Sequence, residues 1–69
     1  MTRLEIVAHN LWTTAQAGRA ALASGDRRLV EDSLRHLGVI AVNARNEAAE
    51  RCALSTHDSL VRALPPPLH

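Results

Sequence analysis

The chain has 69 residues, a formal net charge of +1 at pH 7 and a 46% hydrophobic composition in which one tryptophan is the only aromatic residue. A chain this short forms at most one domain, and seven acidic residues distributed among eight arginines exclude a polyanion-binding basic tail. One cysteine excludes an intramolecular disulfide and fits a reducing cytoplasm, where we expect the protein to reside.

The first predicted element is a helix over about residues 3–23. Thr2 and Glu5 have the spacing of a capping box, in which each side chain satisfies a backbone amide of the first turn. A Ser-Gly-Asp turn at 24–26 ends this helix, because Gly25 accepts the left-handed conformation and Asp26 can cap a second helix. The apolar residues recur at helical spacing on one face, with Trp12 at its edge; they are Leu4, Val7, Ala8, Leu11, Ala15, Gly18 and Leu22.

The second predicted helix is long, about residues 27–53, since no proline interrupts it and Gly38 is its only glycine. The short turn before it predicts an antiparallel helical hairpin. Its apolar stripe has the three- and four-residue spacing of a coiled-coil seam, which predicts that Cys52 is a buried structural thiol. The stripe consists of Val30, Leu34, Leu37, Ala41, Ala44, Ala48 and Cys52.

A third, short helix is predicted over about 56–64, because residues 55–58 repeat a capping pattern ahead of a short apolar turn. The prolines that follow make 65–69 a Pro-rich extended tail. The predicted fold is therefore all-α, a helical hairpin with a long second helix and a short C-terminal helix, in one domain over 1–64.

Residues 37–44 are apolar almost all round the predicted second helix, and a helix of that kind is normally buried on more than one side. Val39, Ile40 and Val42 lie outside the hairpin stripe, so we predict a homodimer in which two hairpins form a four-helix arrangement through these residues. A short β-strand over this segment is the alternative, but the chain offers no second strand to pair with it.

No catalytic, cofactor or metal site is expected. Cys52 and His57 lack a third orienting residue for nucleophilic catalysis, and the four histidines lack the close spacing of zinc motifs. Asp58-Ser59-Leu60 matches the phosphopantetheine attachment motif of carrier proteins, but only nine residues follow Leu60 and the carrier fold needs a further helix pair there. No run approaches the roughly 18 apolar residues of a membrane span.

Five residues are candidates for binding another protein. Arg27 and Arg28 lie in the first turn of the second helix, where the positive end of the helix dipole disfavours cations. Arg19 falls near the same turn, and Ile6 on the first helix is a candidate for the rim of a binding face. Trp12 is a further candidate anchor, although its position beside Leu11 and Ala15 favours partial packing in the core. Arginine and tryptophan are the residue types that most often dominate interface energies.

The chain begins with a capped helix from Thr2, and a turn at 24–26 and a long second helix follow. Its basic residues are all arginine, and no catalytic group is expected in it. In these features it resembles the small early proteins of temperate Mu-like bacteriophages. Among these, the layout is similar to anti-activators that bind a LuxR-type quorum-sensing regulator and also inhibit the ATPase of type IV pilus assembly. The resemblance covers the whole chain as architecture and includes no signature motif. It implies a non-enzymatic inhibitor that acts in the host cytoplasm by stoichiometric binding.

Two other functions fit the same architecture. A ROP-like hairpin dimer binds paired RNA loops, but it would need a basic stripe on one outer face, and the interleaved acidic residues argue against that. A structural or antitoxin-like subunit would instead have its apolar mid-helix segment covered by an obligate partner. Steep salt dependence of binding would distinguish RNA recognition from the two protein-binding functions.

Overall fold

The computed structural model describes residues 1–66 and contains three helices, α1 (Arg3–Ala23), α2 (Arg27–Asn43) and α3 (Glu47–Ala63). The described residues include no strand, so the all-α fold class is confirmed and the strand alternative for 37–44 is wrong. Of the predicted Pro-rich tail, Pro65 and Pro66 follow α3, and residues 67–69 lie outside the described residues.

The start of α1 and the first turn are as predicted. The Thr2 hydroxyl accepts a hydrogen bond from the Glu5 amide at 3.2 Å, and the Glu5 carboxylate accepts one from the Thr2 amide at 3.3 Å. Gly25 has a φ of 75°, which favours glycine, and the Asp26 carboxylate accepts a hydrogen bond from the Leu29 amide at 3.2 Å. The turn therefore reverses the chain and sets α1 and α2 antiparallel.

The predicted bounds of the second and third helices are wrong. Helix α2 ends at Asn43 rather than near residue 53, and residues 55–58 lie inside α3 instead of capping a new helix. Arg45 lies in the left-handed region with a φ of 49°, and the Asn46 side chain caps α3 by accepting a hydrogen bond from the Ala49 amide at 3.0 Å. A left-handed non-glycine residue costs about 1–2 kcal/mol, which the chain recovers because α3 can fold back along α2.

The three helices approach one another closely at Gly18. A Cβ atom at this position would lie 2.8 Å from Leu60 Cδ1 on α3 and 3.2 Å from Ser33 Cβ on α2. Leu60 is buried, and buried Ser33 satisfies its hydroxyl by donating to the Leu29 carbonyl at 3.0 Å. Gly18 on α1 and Ser33 on α2 are small residues, and they leave space for Leu60 of α3.

The core is narrow and runs along α2, which contacts both other helices. Its largest fully buried side chains are those of Val30 and Leu37. At the far end of the hairpin, Arg3 Nη2 on α1 donates to the Asn43 carbonyl at 3.2 Å and so satisfies one of the carbonyls left free where α2 ends. The other buried apolar residues are Ala15, Ala21, Ala41, Ala44, Ala53 and Leu60.

We predict that Gly18→Ala lowers the free energy of unfolding by about 1 kcal/mol. Alanine is favoured over glycine in a helix by about 1 kcal/mol, but the added methyl must displace Leu60 and Ser33, and overpacking of this kind costs about 1–3 kcal/mol. Urea denaturation followed by circular dichroism measures the difference. An unchanged or increased midpoint would show that the helices move apart at no cost.

Candidate protein-binding surfaces

The outer face of α1 carries the only tryptophan. Trp12 is 62% exposed, whereas the sequence suggested partial packing in the core. Arg19 is also exposed and follows Trp12 by seven residues, so two helical turns place both side chains on the same face. Ile6 is 45% exposed but lies about 120° round the helix axis from Trp12. The structure therefore brings together Trp12 and Arg19, which we call the Trp12 face, and places Ile6 apart from it.

The arginines divide into paired and unpaired groups. Four of them form ion pairs with carboxylates three or four residues away on the same helix, and the pairs are Arg27–Glu31, Arg35–Asp32, Arg51–Glu47 and Arg62–Asp58. Over residues 1–66, Arg19 and Arg28 have no carboxylate within 4.0 Å. Their guanidinium groups can therefore bind a partner's carboxylate without first giving up an intrahelical one.

Arg27 has a structural role that the sequence did not indicate. Its Nη1 donates to the Pro65 carbonyl at 2.6 Å and so ties the segment after α3 to the start of α2. Beside this contact an apolar cleft of about 490 Å³ opens between the first turn and the end of α3. Its apolar walls are formed by Leu22, Val30, Leu64, Pro65 and Pro66. Arg27 is less suited than Arg19 or Arg28 to act as a free anchor.

The outer face of α2 is the second exposed apolar region. Val42 is 82% exposed and Val39 is 56% exposed, while Ile40 is partly buried. Exposed Leu54 and Val61 lie on α3. One chain thus leaves uncovered two of the three residues that the sequence assigned to a dimer interface.

The structure corrects the placement of Cys52, which is exposed and not part of the core. The predicted stripe fails beyond Ala44 because α2 ends at Asn43 and α3 begins a new helix, in which Ala53 is buried instead of Cys52. Within the part of the chain that the structure describes, no three histidine, cysteine or carboxylate side chains come close enough together to hold a metal ion.

Sequence reasoning missed the break that creates these surfaces. Asn43 and Asn46 flank the reversal, and asparagine is frequent both at helix caps and near left-handed positions. That pair was the available signal. It was weak because Ala44 and Arg45 between the two asparagines are good helix formers.

We predict that Cys52→Ala changes the free energy of unfolding by less than about 0.5 kcal/mol, as for most surface substitutions. The native thiol should also be alkylated by iodoacetamide at the rate of the thiol in the urea-unfolded chain, within a few-fold. Mass spectrometry of timed samples measures this rate. Protection by orders of magnitude would place the thiol inside a core or an interface.

No helix within residues 1–66 combines the length and apolar character needed to cross a membrane. Comparison with protein-family models, with curated proteins and with solved structures finds no match.

Proposed function

We propose that this protein is a non-enzymatic, protein-binding inhibitor that acts by stoichiometric binding through the Trp12 face. The observation that carries the proposal is the exposure of Trp12, at 62%, on the same helical face as Arg19, which has no acidic partner in the described structure. Tryptophan and arginine are enriched among the residues that dominate binding energy. Both lie on a helix that is already formed, so binding requires little ordering of the backbone.

The contribution of such an anchor is large enough to matter. Truncation of an interface hot spot costs about 2 kcal/mol or more, which corresponds to a roughly 30-fold loss of affinity. An exposed ion pair, in contrast, contributes about 0–1 kcal/mol. The tryptophan is therefore expected to dominate affinity, and Arg19 to set the orientation of a partner that presents a carboxylate.

For the target we propose a LuxR-type quorum-sensing regulator of a bacterial host, with a type IV pilus assembly ATPase as a second target. This assignment follows the resemblance to small early proteins of Mu-like phages, which makes the chain a phage-encoded anti-activator. A helical face that covers the DNA-binding or dimerisation surface of an activator is sufficient to silence it. No turnover is needed, so one inhibitor chain is consumed for each target chain.

We further propose that the inhibitor is a homodimer that buries the outer face of α2. Val42 and Val39 supply apolar surface there, and two α2 helices would complete a four-helix arrangement with α1 of each chain. A two-fold axis would present two Trp12 faces. Two-point attachment to a dimeric target then raises the overall affinity without any new contact.

We predict that Trp12→Ala weakens binding to the purified regulator about 30-fold, and that Arg19→Glu weakens it at least tenfold, in isothermal titration calorimetry. Arg51→Glu is the matched control for Arg19, because Arg51 is also exposed but its Nη2 already pairs with Glu47 at 3.5 Å. The control should bind as the wild type does. Circular dichroism must show unchanged helix content in each variant.

The same titration discriminates between the functional classes. Full affinity of Trp12→Ala would overturn the Trp12 face as the binding site. An affinity for RNA hairpins that falls steeply with salt, together with no binding to the regulator, would favour the ROP-like function instead.

We predict that the wild-type protein has twice the 7.5 kDa mass of one chain at micromolar concentration in light scattering, and that Val42→Asp is monomeric. The substitution places a carboxylate in an apolar contact, where an unpaired charge is costly. Ala20→Asp is the matched control, since it adds the same charge to an exposed position in the last turn of a helix. A monomeric wild type would refute the dimer but not the inhibitor.

A further inference from the structure

Within residues 1–66, no contact explains why residue 38 is a glycine. It lies in the interior of α2, where glycine is less favourable than any residue except proline. Nothing lies within 4 Å of the position that its Cβ would take. Gly18 differs, because a Cβ there would collide with α3. The packing of the helices therefore favours glycine at position 18 and leaves the space beside position 38 open.

The side chains around Gly38 form a surface that is complementary to itself. Leu34 and Val42 lie four residues before and after Gly38, so all three share one side of α2. Leu34 is partly buried and Val42 is 82% exposed. If two copies of α2 cross antiparallel at Gly38, Leu34 of each chain lies opposite Val42 of the other. A glycine at the crossing point lets the two backbones approach closely.

The charges around Gly38 obey the same symmetry. Glu31 lies seven residues before Gly38, and Arg45 lies seven residues after it, just beyond the end of α2. Glu31 reaches its intrahelical partner Arg27 only at 4.0 Å, the limit of an ion pair. Arg45 has no carboxylate within that distance over residues 1–66. An antiparallel crossing at Gly38 sets Glu31 of one chain opposite Arg45 of the other, twice.

We propose that Gly38 marks the two-fold axis of the homodimer, and that its partner is the Gly38 of a second copy in an antiparallel α2–α2 crossing. This inference rests on the homodimer proposed above and adds its axis, its register and its ion pairs. The crossing buries Val42 against Leu34 on each side of the axis. At each end of the contact, Glu31 of one chain pairs with Arg45 of the other. A parallel alignment would place like charges together, so these charges favour the antiparallel one.

The decisive variant is Gly38→Ala, because the monomer and the dimer respond in opposite directions. In dilute, monomeric protein the melting temperature should rise by about 4–8 °C, since alanine favours the helix and the space is open. The dimer dissociation constant from sedimentation equilibrium should rise at least tenfold, because the methyl groups separate the two backbones. Gly18→Ala, the matched control, should lower the melting temperature of the monomer instead.

The register is tested by charge exchange. Glu31→Arg and Arg45→Glu should each raise the dissociation constant several-fold, and the double variant should restore it, because both cross-axis pairs are then inverted. A wild type that is monomeric at all concentrations would overturn the homodimer and this axis together. A dimeric wild type whose Gly38→Ala variant dimerises equally well would overturn the axis alone.

Discussion

The close approach of the three helices at Gly18 is the constraint on which the rest of the fold depends. Leu60 of α3 reaches over Gly18 of α1 and lies near Ser33 of α2, so a single leucine is held by two small residues. A core this narrow has few large side chains, and close packing of backbones substitutes for them. A second contact, from Arg27 to the Pro65 carbonyl, ties the segment after α3 to the start of α2.

The reversal between Asn43 and Asn46 decides which surfaces remain exposed. A continuous second helix would have carried Cys52 along the hairpin seam. Instead Arg45 takes a left-handed conformation, and α3 returns along α2 to bury Ala53 and Leu60. Helix α2 thus packs against both neighbours and keeps one free side, on which Val42 is almost fully exposed. The unfavourable backbone at one residue is offset by the burial that a whole helix gains.

The proposed activities use two different helices. The Trp12 face belongs to α1, whereas the proposed two-fold axis passes through α2 at Gly38. The two surfaces lie on different helices, so the proposed self-association does not use the tryptophan. Over residues 1–66, half of the eight arginines form ion pairs on their own helices, and Arg19 and Arg28 are among those that do not. A small number of anchors on helices that are already formed fits the stoichiometric binding that we propose.

The sequence by itself determined the helical class, the capping box at Thr2, the turn at Gly25 and the antiparallel hairpin, because these depend on contacts between residues close together in the chain. It also pointed to Val42 and Trp12 as residues without an assured place in the core. The tertiary structure alone decided the break after Asn43, since local propensity favours a continuous helix there and only the burial of α3 against α2 outweighs it. For the same reason, three further features depend on the packing of the three helices. They are the exposure of Cys52, the hydrogen bond from Arg27 to the Pro65 carbonyl and the open space at Gly38.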